Sequence, residues 1–232
     1  MLEQETFSPP KIVAFNEPHL ACVLLLDTSG SMSGSPIDSL NQALRDFKAQ
    51  LSMDEMAQKR VDIAIIEFNS SARLVQDFTP ISQMEPITLQ ATGLTAMGEG
   101  VNMAIDKVKE RNQFYNSIGT PVFKPWIFMI TDGAPTDDIE SAVKRVQEEE
   151  RKGSHGKLKF FALGVPGYDS NTLHKFFKGA VAKRVMELSD TDFSGIFNWM
   201  SESMVAISVS RVGEDVALGT LPDNARIVPP NW

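Results

Sequence analysis

The chain has 232 residues, long enough to bury a core without disulfide or metal staples. Its 42% apolar and 22% charged composition is that of a soluble globular protein and excludes wholesale disorder. With 22 basic against 30 acidic residues, net charge is −8, and the basic residues are scattered, which argues against nucleic acid or an anionic membrane as partner.

Cys22 is the single cysteine, so no intrachain disulfide can form, which agrees with a reducing compartment. The first fifteen residues carry Glu3, Glu5, Pro9 and Pro10 and lack an apolar signal core. The longest apolar run, Leu20 to Leu26, is too short to span a bilayer. The expectation is a cytoplasmic, soluble protein.

Residues 1–17 read as a loose arm, broken by Pro9 and Pro10, with Pro18 just beyond. Leu20–Leu26 is a continuous apolar run closed by Asp27, the pattern of a central strand covered on both faces. Residues 28–35, TSGSMSGS, form a polar loop. Pro36 then opens a helix whose Ile37, Leu40, Leu44 and Phe47 recur at helical spacing.

Val61 to Phe68 is a second strand, and Ala72 to Phe78 a third, paired to it through Asn69, Ser70 and Ser71. A loop with Pro80 and Pro86 ends in Gly93-Leu94-Thr95, and a helix follows from Met97 to about Asn112. Trp126 to Thr131 is another buried strand that ends in an aspartate, Asp132, with Trp126 and Phe128 assigned to the core. Asp137 or Asp138 caps a helix running to about Lys152, braced by Glu140–Lys144 and Glu148–Lys152 pairs.

Lys159 to Val165 is a strand and Thr172 to Phe177 a short helix. Arg184 to Leu188 is an edge strand, and Phe193 to about Val209 a final helix with Ile196, Met200 and Met204 toward the sheet. The tail, 209–232, carries Leu218, Leu221, Ile227, Val228 and Trp232 and is expected to pack on the domain. Alternating strands and helices predict an α/β fold: a Rossmann-like, doubly wound, mostly parallel sheet with one antiparallel edge strand and helices on both faces.

Two central strands end in aspartates, Asp27 and Asp132, and ligands of open α/β sheets bind beyond such strand ends. Asp27 opens an Asp-x-Ser-x-Ser pattern with Ser29 and Ser31. Carboxylates with hydroxyls make an all-oxygen set that suits hard cations such as Mg2+, Mn2+ or Ca2+. Soft metals are disfavoured, because Cys22 is alone and His19, His155 and His174 are far apart in sequence. The bland alternative makes Asp27 and Ser29 mere caps of the following helix. Met32, in the same loop, either faces a partner or packs inward.

Three segments, Asp27-Thr28-Ser29-Gly30-Ser31, Thr95 within residues 92–98, and Ile130-Thr131-Asp132-Gly133, together resemble the metal-ion-dependent adhesion site of von Willebrand factor A domains. The resemblance spans roughly residues 18–208. It implies that Ser29, Ser31 and Thr95 are hydroxyl ligands of a divalent ion, Mg2+ first. It also implies that Asp27 and Asp132 bind the ion directly or through water. It further implies that a partner protein supplies an Asp or Glu to the open position. Residues 24–37 and 124–138 are similar to the bacterial TerY-like branch, which implies a tellurite-resistance or stress-response system with kinase- or phosphatase-type partners.

Two other functions compete. A phosphatase of the haloacid-dehalogenase type also places an aspartate after a buried strand, but it resembles Asp-x-Asp, and Ser29 stands at the second position here. A scaffold could instead bind partners without metal, through the tail or a sheet edge. No phosphate-binding Gly-x4-Gly-Lys-[Ser/Thr] loop or Gly-x-Gly-x-x-Gly fingerprint is present, and residues 30–34 lack a nucleophile elbow because Met32 stands where serine is needed. The reading adopted is a non-enzymatic, metal-dependent interaction module.

Overall fold

A computed structural model of the chain describes residues 10–151, 158–178 and 184–229. Residues 1–9 of the arm, Lys152 of the Glu148–Lys152 pair, His155 and Trp232 lie outside the described residues.

Among the described residues, seven strands form one sheet in the order β3-β2-β1-β4-β5-β6-β7. They are β1 (Leu20–Asp27), β2 (Val61–Phe68), β3 (Ala72–Pro80), β4 (Trp126–Thr131), β5 (Lys159–Gly164), β6 (Val185–Leu188) and β7 (Ala225–Ile227). Strand β1 pairs in parallel with β2 on one side and β4 on the other, and β4, β5 and β6 continue in parallel. β3 runs antiparallel to β2.

The helices are α1 (Ser35–Leu51), α2 (Glu55–Arg60), α3 (Met97–Ser117), α4 (Glu140–Arg151), α5 (Ser170–Phe176) and α6 (Ser194–Ser208). Side chains of β1 alternate between two cores, as the two-residue strand period demands. Leu20, Cys22, Leu24 and Leu26 pack with α1, α2 and α6; Ala21, Val23 and Leu25 pack with α3, α4 and α5. Every β1 residue is buried, which is why the segment reads as an unbroken apolar run. Ile196, Met200 and Met204 of α6 lie in the first core, as their spacing predicts.

Two features differ from expectation. The tail contributes β7, so the sheet has a second antiparallel edge, and β6 is an inner strand rather than an edge. Leu218, Leu221 and Ala225 pack against the first core, and the Trp199 indole donates to the Gly219 carbonyl at 2.7 Å. The short helix α2, capped by the Asp54 carboxylate on the Ala57 amide, escaped the sequence pattern because six residues show no period.

Residues 10–17 are tied to the domain. Arg111 donates to the Lys11 carbonyl at 2.6 Å, and Arg60 pairs with Glu17. The Thr120 hydroxyl donates to the Phe15 carbonyl. Beneath them His19, Asp62, Arg111 and Tyr115 form a buried polar cluster around the Asp62 carboxylate.

Candidate metal centre

The chain runs from β1 outward to β2 and β3, then returns to place β4 on the other flank of β1. This reversal opens a crevice beyond the carboxyl ends of β1 and β4. Asp27 ends β1 and Asp132 follows β4, so both acids stand at the crevice.

The Asp27 carboxylate is held at two points. Its Oδ1 accepts the Ser29 amide at 2.8 Å, and its Oδ2 accepts the Thr131 hydroxyl at 2.6 Å. Ser29 and Ser31 lie with their hydroxyl oxygens 3.0 Å apart, and Ser31 Oγ donates to Asp132 Oδ1 at 2.7 Å. A short 3-10 turn over Gly30–Met32 brings the two serines onto one side.

Thr95 arrives from the loop before α3. Its amide donates to the Thr136 hydroxyl at 3.0 Å, and its carbonyl accepts the Thr136 amide at 2.9 Å. Its own hydroxyl bonds no protein group among the described residues. A methyl group at Gly133 would lie 3.8 Å from Thr95 Oγ1 and 4.0 Å from Ser31 Oγ, so both hydroxyls border the same small space. Gly93 has φ +76°, and a Cβ there would collide with Ser70 Oγ, so only glycine lets this loop close on residues 28–31. The Gly30 amide donates to the Gly93 carbonyl at 3.0 Å and the Thr92 amide to the Thr28 carbonyl at 2.8 Å.

The family model of the von Willebrand factor type A domain matches residues 22–199. The chain belongs to this family. It is 27% identical over 181 residues to mouse "Inter alpha-trypsin inhibitor, heavy chain 4", covering 73% of this chain and 18% of the relative. Among solved structures it resembles a von Willebrand factor type A protein from Catenulispora acidiphila, with TM-score 0.63, 16% identity and coverage of 82% of this chain and 43% of the other. It also resembles the pilus adhesin SpaC from Lactobacillus rhamnosus GG, with TM-score 0.65, 12% identity and coverage of 83% and 30%. A third likeness is proximal thread matrix protein 1 from the mussel byssus with a zinc-occupied MIDAS motif, with TM-score 0.55, 19% identity and coverage of 80% and 45%. The chain spans under a fifth of its curated relative and less than half of these solved chains. At these identities the structural likenesses show the fold.

In this von Willebrand factor type A domain both crevice acids are held above the ordinary carboxylate range. Burial pushes the Asp27 carboxyl above its usual range; hydrogen bonds from Ser29 and Thr131 oppose this, and the Asp132 charge adds to it. Burial also raises Asp132, against the Ser31 hydrogen bond. Among the described residues no lysine, arginine or histidine pairs with either acid. No three of His, Cys, Asp and Glu come together there either, so the two carboxylates need the hydroxyls to complete a ligand set. The residues therefore fit a hard divalent cation: two buried acids, three hydroxyls and no soft donor.

Two side chains behave differently from the sequence pattern. Met32 is 0% exposed and packs in the core with Phe193 and Ile196, because the 3-10 turn rotates it inward; it is not a surface contact. Asp137 caps α3 rather than α4, accepting the amides of Gly98 and Glu99 at 3.1 and 2.9 Å. Asp138 serves α4, accepting the Glu140 amide at 2.9 Å.

Sequence reasoning gave no role at the site to Thr131, Ser70, Thr136 or Asn69, and placed Asn69 and Ser70 only in the turn between β2 and β3. Thr131 anchors Asp27, Thr136 holds Thr95, and the Ser70 hydroxyl accepts the Leu94 amide at 3.1 Å. The Asn69 carbonyl accepts the Ala96 amide at 2.7 Å. Only Thr131 carried a signal, its place directly before the strand-end aspartate.

Proposed function

We propose that this domain is a metal-dependent protein-interaction module in which Asp27, Ser29, Ser31, Thr95 and Asp132 hold a divalent cation, Mg2+ first, with Mn2+ or Ca2+ also accommodated. Domains of this family are typically interaction modules. The observation that carries the reading is a pair of buried carboxylates, surrounded by hydroxyls and lacking any basic partner among the described residues. When bound, the cation would supply a Lewis-acidic anchor for an Asp or Glu side chain of a partner protein.

The chain's own residues prepare that encounter. Thr131 and the Ser29 amide fix the Asp27 carboxylate in one orientation, and Ser31 does the same for Asp132. The loop pinned by Ser70 and Thr136 presents Thr95 next to Leu94, which is 60% exposed and available to an apolar side chain beside the partner's acid.

The phosphatase alternative is less well supported, since Ser29 replaces the second acid and no lysine pairs with either aspartate among the described residues. The finer placement is a cytoplasmic bacterial tellurite-resistance or stress-response system, with a kinase- or phosphatase-type partner. It rests on the similarity of residues 24–37 and 124–138 to TerY-like proteins. No helix among the described residues is long and apolar enough to cross a membrane. The division of labour is an arm (1–17), a metal-binding domain (18–208) and a packed tail (209–232).

The test is a pull-down from host lysate with wild type and Asp27→Ala, each in Mg2+ and in EDTA. Partners retained only by wild type in Mg2+ are expected. The same partners in all four lanes would favour a metal-independent scaffold that uses the tail or a sheet edge.

A further inference from the structure

Strands β2, β1, β4, β5 and β6 are parallel, so the loops that follow them open on one face, the face of the metal centre. No lysine or arginine occurs in its segments 27–38, 69–71, 92–100, 131–140, 164–173 and 187–197. Arg73 and Arg226, on the two edge strands beside it, are committed to Glu67 and Glu187 at 2.6 and 2.5 Å. The same face exposes Asp38 and Glu99 in the first turns of α1 and α3, and Asp138 before α4. It also exposes Asp190 and Asp192 before α6, and Asp223 before β7. None of these six acids forms an ion pair among the described residues. Glu140 adds a seventh, faced by Lys144 at 4.0 Å.

Helix capping accounts for the place of some of these acids but not for their sum. Asp138 and Asp192 accept the amides of Glu140 and Ser194, each at 2.9 Å. Five helices, α1, α3, α4, α5 and α6, start at this face, and each start carries about half a positive charge. Together they supply roughly two and a half charges against the six exposed carboxylates. The acids are spread round the rim: among the described residues no three of His, Cys, Asp and Glu gather, so they make a field and not a second ligand set.

The middle of the face points to a ligand. Thr95 is 6% exposed, its hydroxyl has no protein partner among the described residues, and it borders a space shared with the exposed Ser31. A divalent cation held there has its two charges matched by Asp27 and Asp132. The rim therefore sets the sign of the face, and an approaching acid meets repulsion. Two strand spacings, about 10 Å, separate β4 from β6, whereas a standard footprint of about 800 Å2 per partner is roughly 16 Å in radius. A protein whose acid reaches the centre covers the rim acids as well, and like charges set against them cost affinity.

We propose that the partner presents its metal-binding acid from a basic surface: a single Asp or Glu ringed by Lys or Arg. This deepens the metal-dependent reading above and rests on it.

The probes are two synthetic peptides with one central Glu, flanked by lysines in the first and by serines in the second. Each is titrated with the full chain in Mg2+ and followed by fluorescence anisotropy. The lysine-flanked peptide should bind about tenfold or more tighter, and the margin should shrink as sodium chloride rises. Asp38→Asn combined with Glu99→Gln, two exposed changes outside the candidate ligand set, should narrow the margin several-fold. Equal affinities, tighter binding of the serine peptide, or no binding of the lysine peptide at millimolar concentration would overturn the proposal. So would an unchanged margin in the double variant. A lysine-flanked peptide with Gln in place of Glu tests the metal centre separately. It should bind more weakly than its Glu parent in Mg2+ and equally in EDTA. Equality of the two in Mg2+ would sink the metal-dependent reading itself, whatever the flanking residues do.

Discussion

Ser31 donates its hydroxyl to Asp132 across 2.7 Å, joining two strand-end loops that lie 101 residues apart. The bond does two things at once. It fixes the Asp132 carboxylate beside Ser31, and it offsets part of the cost of keeping that acid buried near Asp27. Neither effect depends on a cation, so Ser31 and Asp132 are held together by their own bond, as preorganised groups are.

The first prediction separates charge from ligation. In EDTA, Asp27→Asn should be at least as stable as wild type, because it removes one of two buried like charges and its amide can still donate to Thr131 Oγ1. With Mg2+ at about 100 times its Kd, wild type should gain about 2.7 kcal/mol, or about 5–11 °C in Tm for a domain of this size. Asp27→Asn should gain little. Thermal unfolding with and without Mg2+ checks both halves. An equal Mg2+ gain in the two proteins would remove Asp27 from the centre.

Thr95 gives a sharper test because its backbone and side chain have separate duties. The backbone bonds to Thr136 survive any substitution that keeps the loop, whereas the free hydroxyl is the proposed ligand. Thr95→Val should therefore leave metal-free stability close to wild type and weaken Mg2+ binding by about tenfold or more, a loss of about 1.4 kcal/mol. Thr95→Ser should restore most of it. Calorimetric titration with Mg2+ distinguishes the three proteins.

Much of this was legible in the residues. The β1 run announces a doubly covered strand, and Asp27-x-Ser-x-Ser is a local pattern that needs no tertiary knowledge. Asp132 shares with Asp27 its place at the end of a buried strand, whereas Thr95 was reached through the family resemblance, since nothing in its spacing ties it to Asp27. What stayed hidden depends on distant partners. The three residues of β7 are too few to show a period, and the strand exists because β6 offers an open edge. Asp137 sits where a cap of α4 is expected, but its carboxylate reaches α3 across the crevice. Met32 sits in a polar loop whose composition says nothing about the 3-10 turn that buries it.

The buried cluster beneath the sheet should dominate stability. Asp62 Oδ2 faces His19 Nδ1 at 2.7 Å and Arg111 at 3.1 Å, and it also accepts the Tyr115 hydroxyl. Asp62→Ala leaves the Arg111 charge buried without its acid, which costs about 3–5 kcal/mol. Urea unfolding should show that loss, with a Tm fall of about 6–20 °C. The Mg2+ increment of the folded variant should match wild type, because the cluster and the metal centre occupy opposite ends of β1. A loss below about 1 kcal/mol would mean that Arg111 finds another partner, contrary to the packing seen around it.

The last prediction concerns acid. Asp169 caps α5: its carboxylate accepts the Thr172 hydroxyl at 2.6 Å and the Asn171 amide at 3.0 Å, and the Thr172 bond is the main reason its carboxyl lies below the usual range. A folded-state value below the unfolded one means that the ionised acid stabilises the fold. That contribution is complete above the unfolded value of about 3.9 and disappears as pH falls through the folded value. Asp169→Asn keeps a good cap but carries no charge. Wild type should therefore exceed Asp169→Asn by a constant margin above about pH 5, and the two stability curves should converge as the solution becomes more acidic. The margin is small, since Asp169 is only partly buried and solvent screens it. Curves that stay parallel down to acid unfolding would show that the cap works through geometry alone.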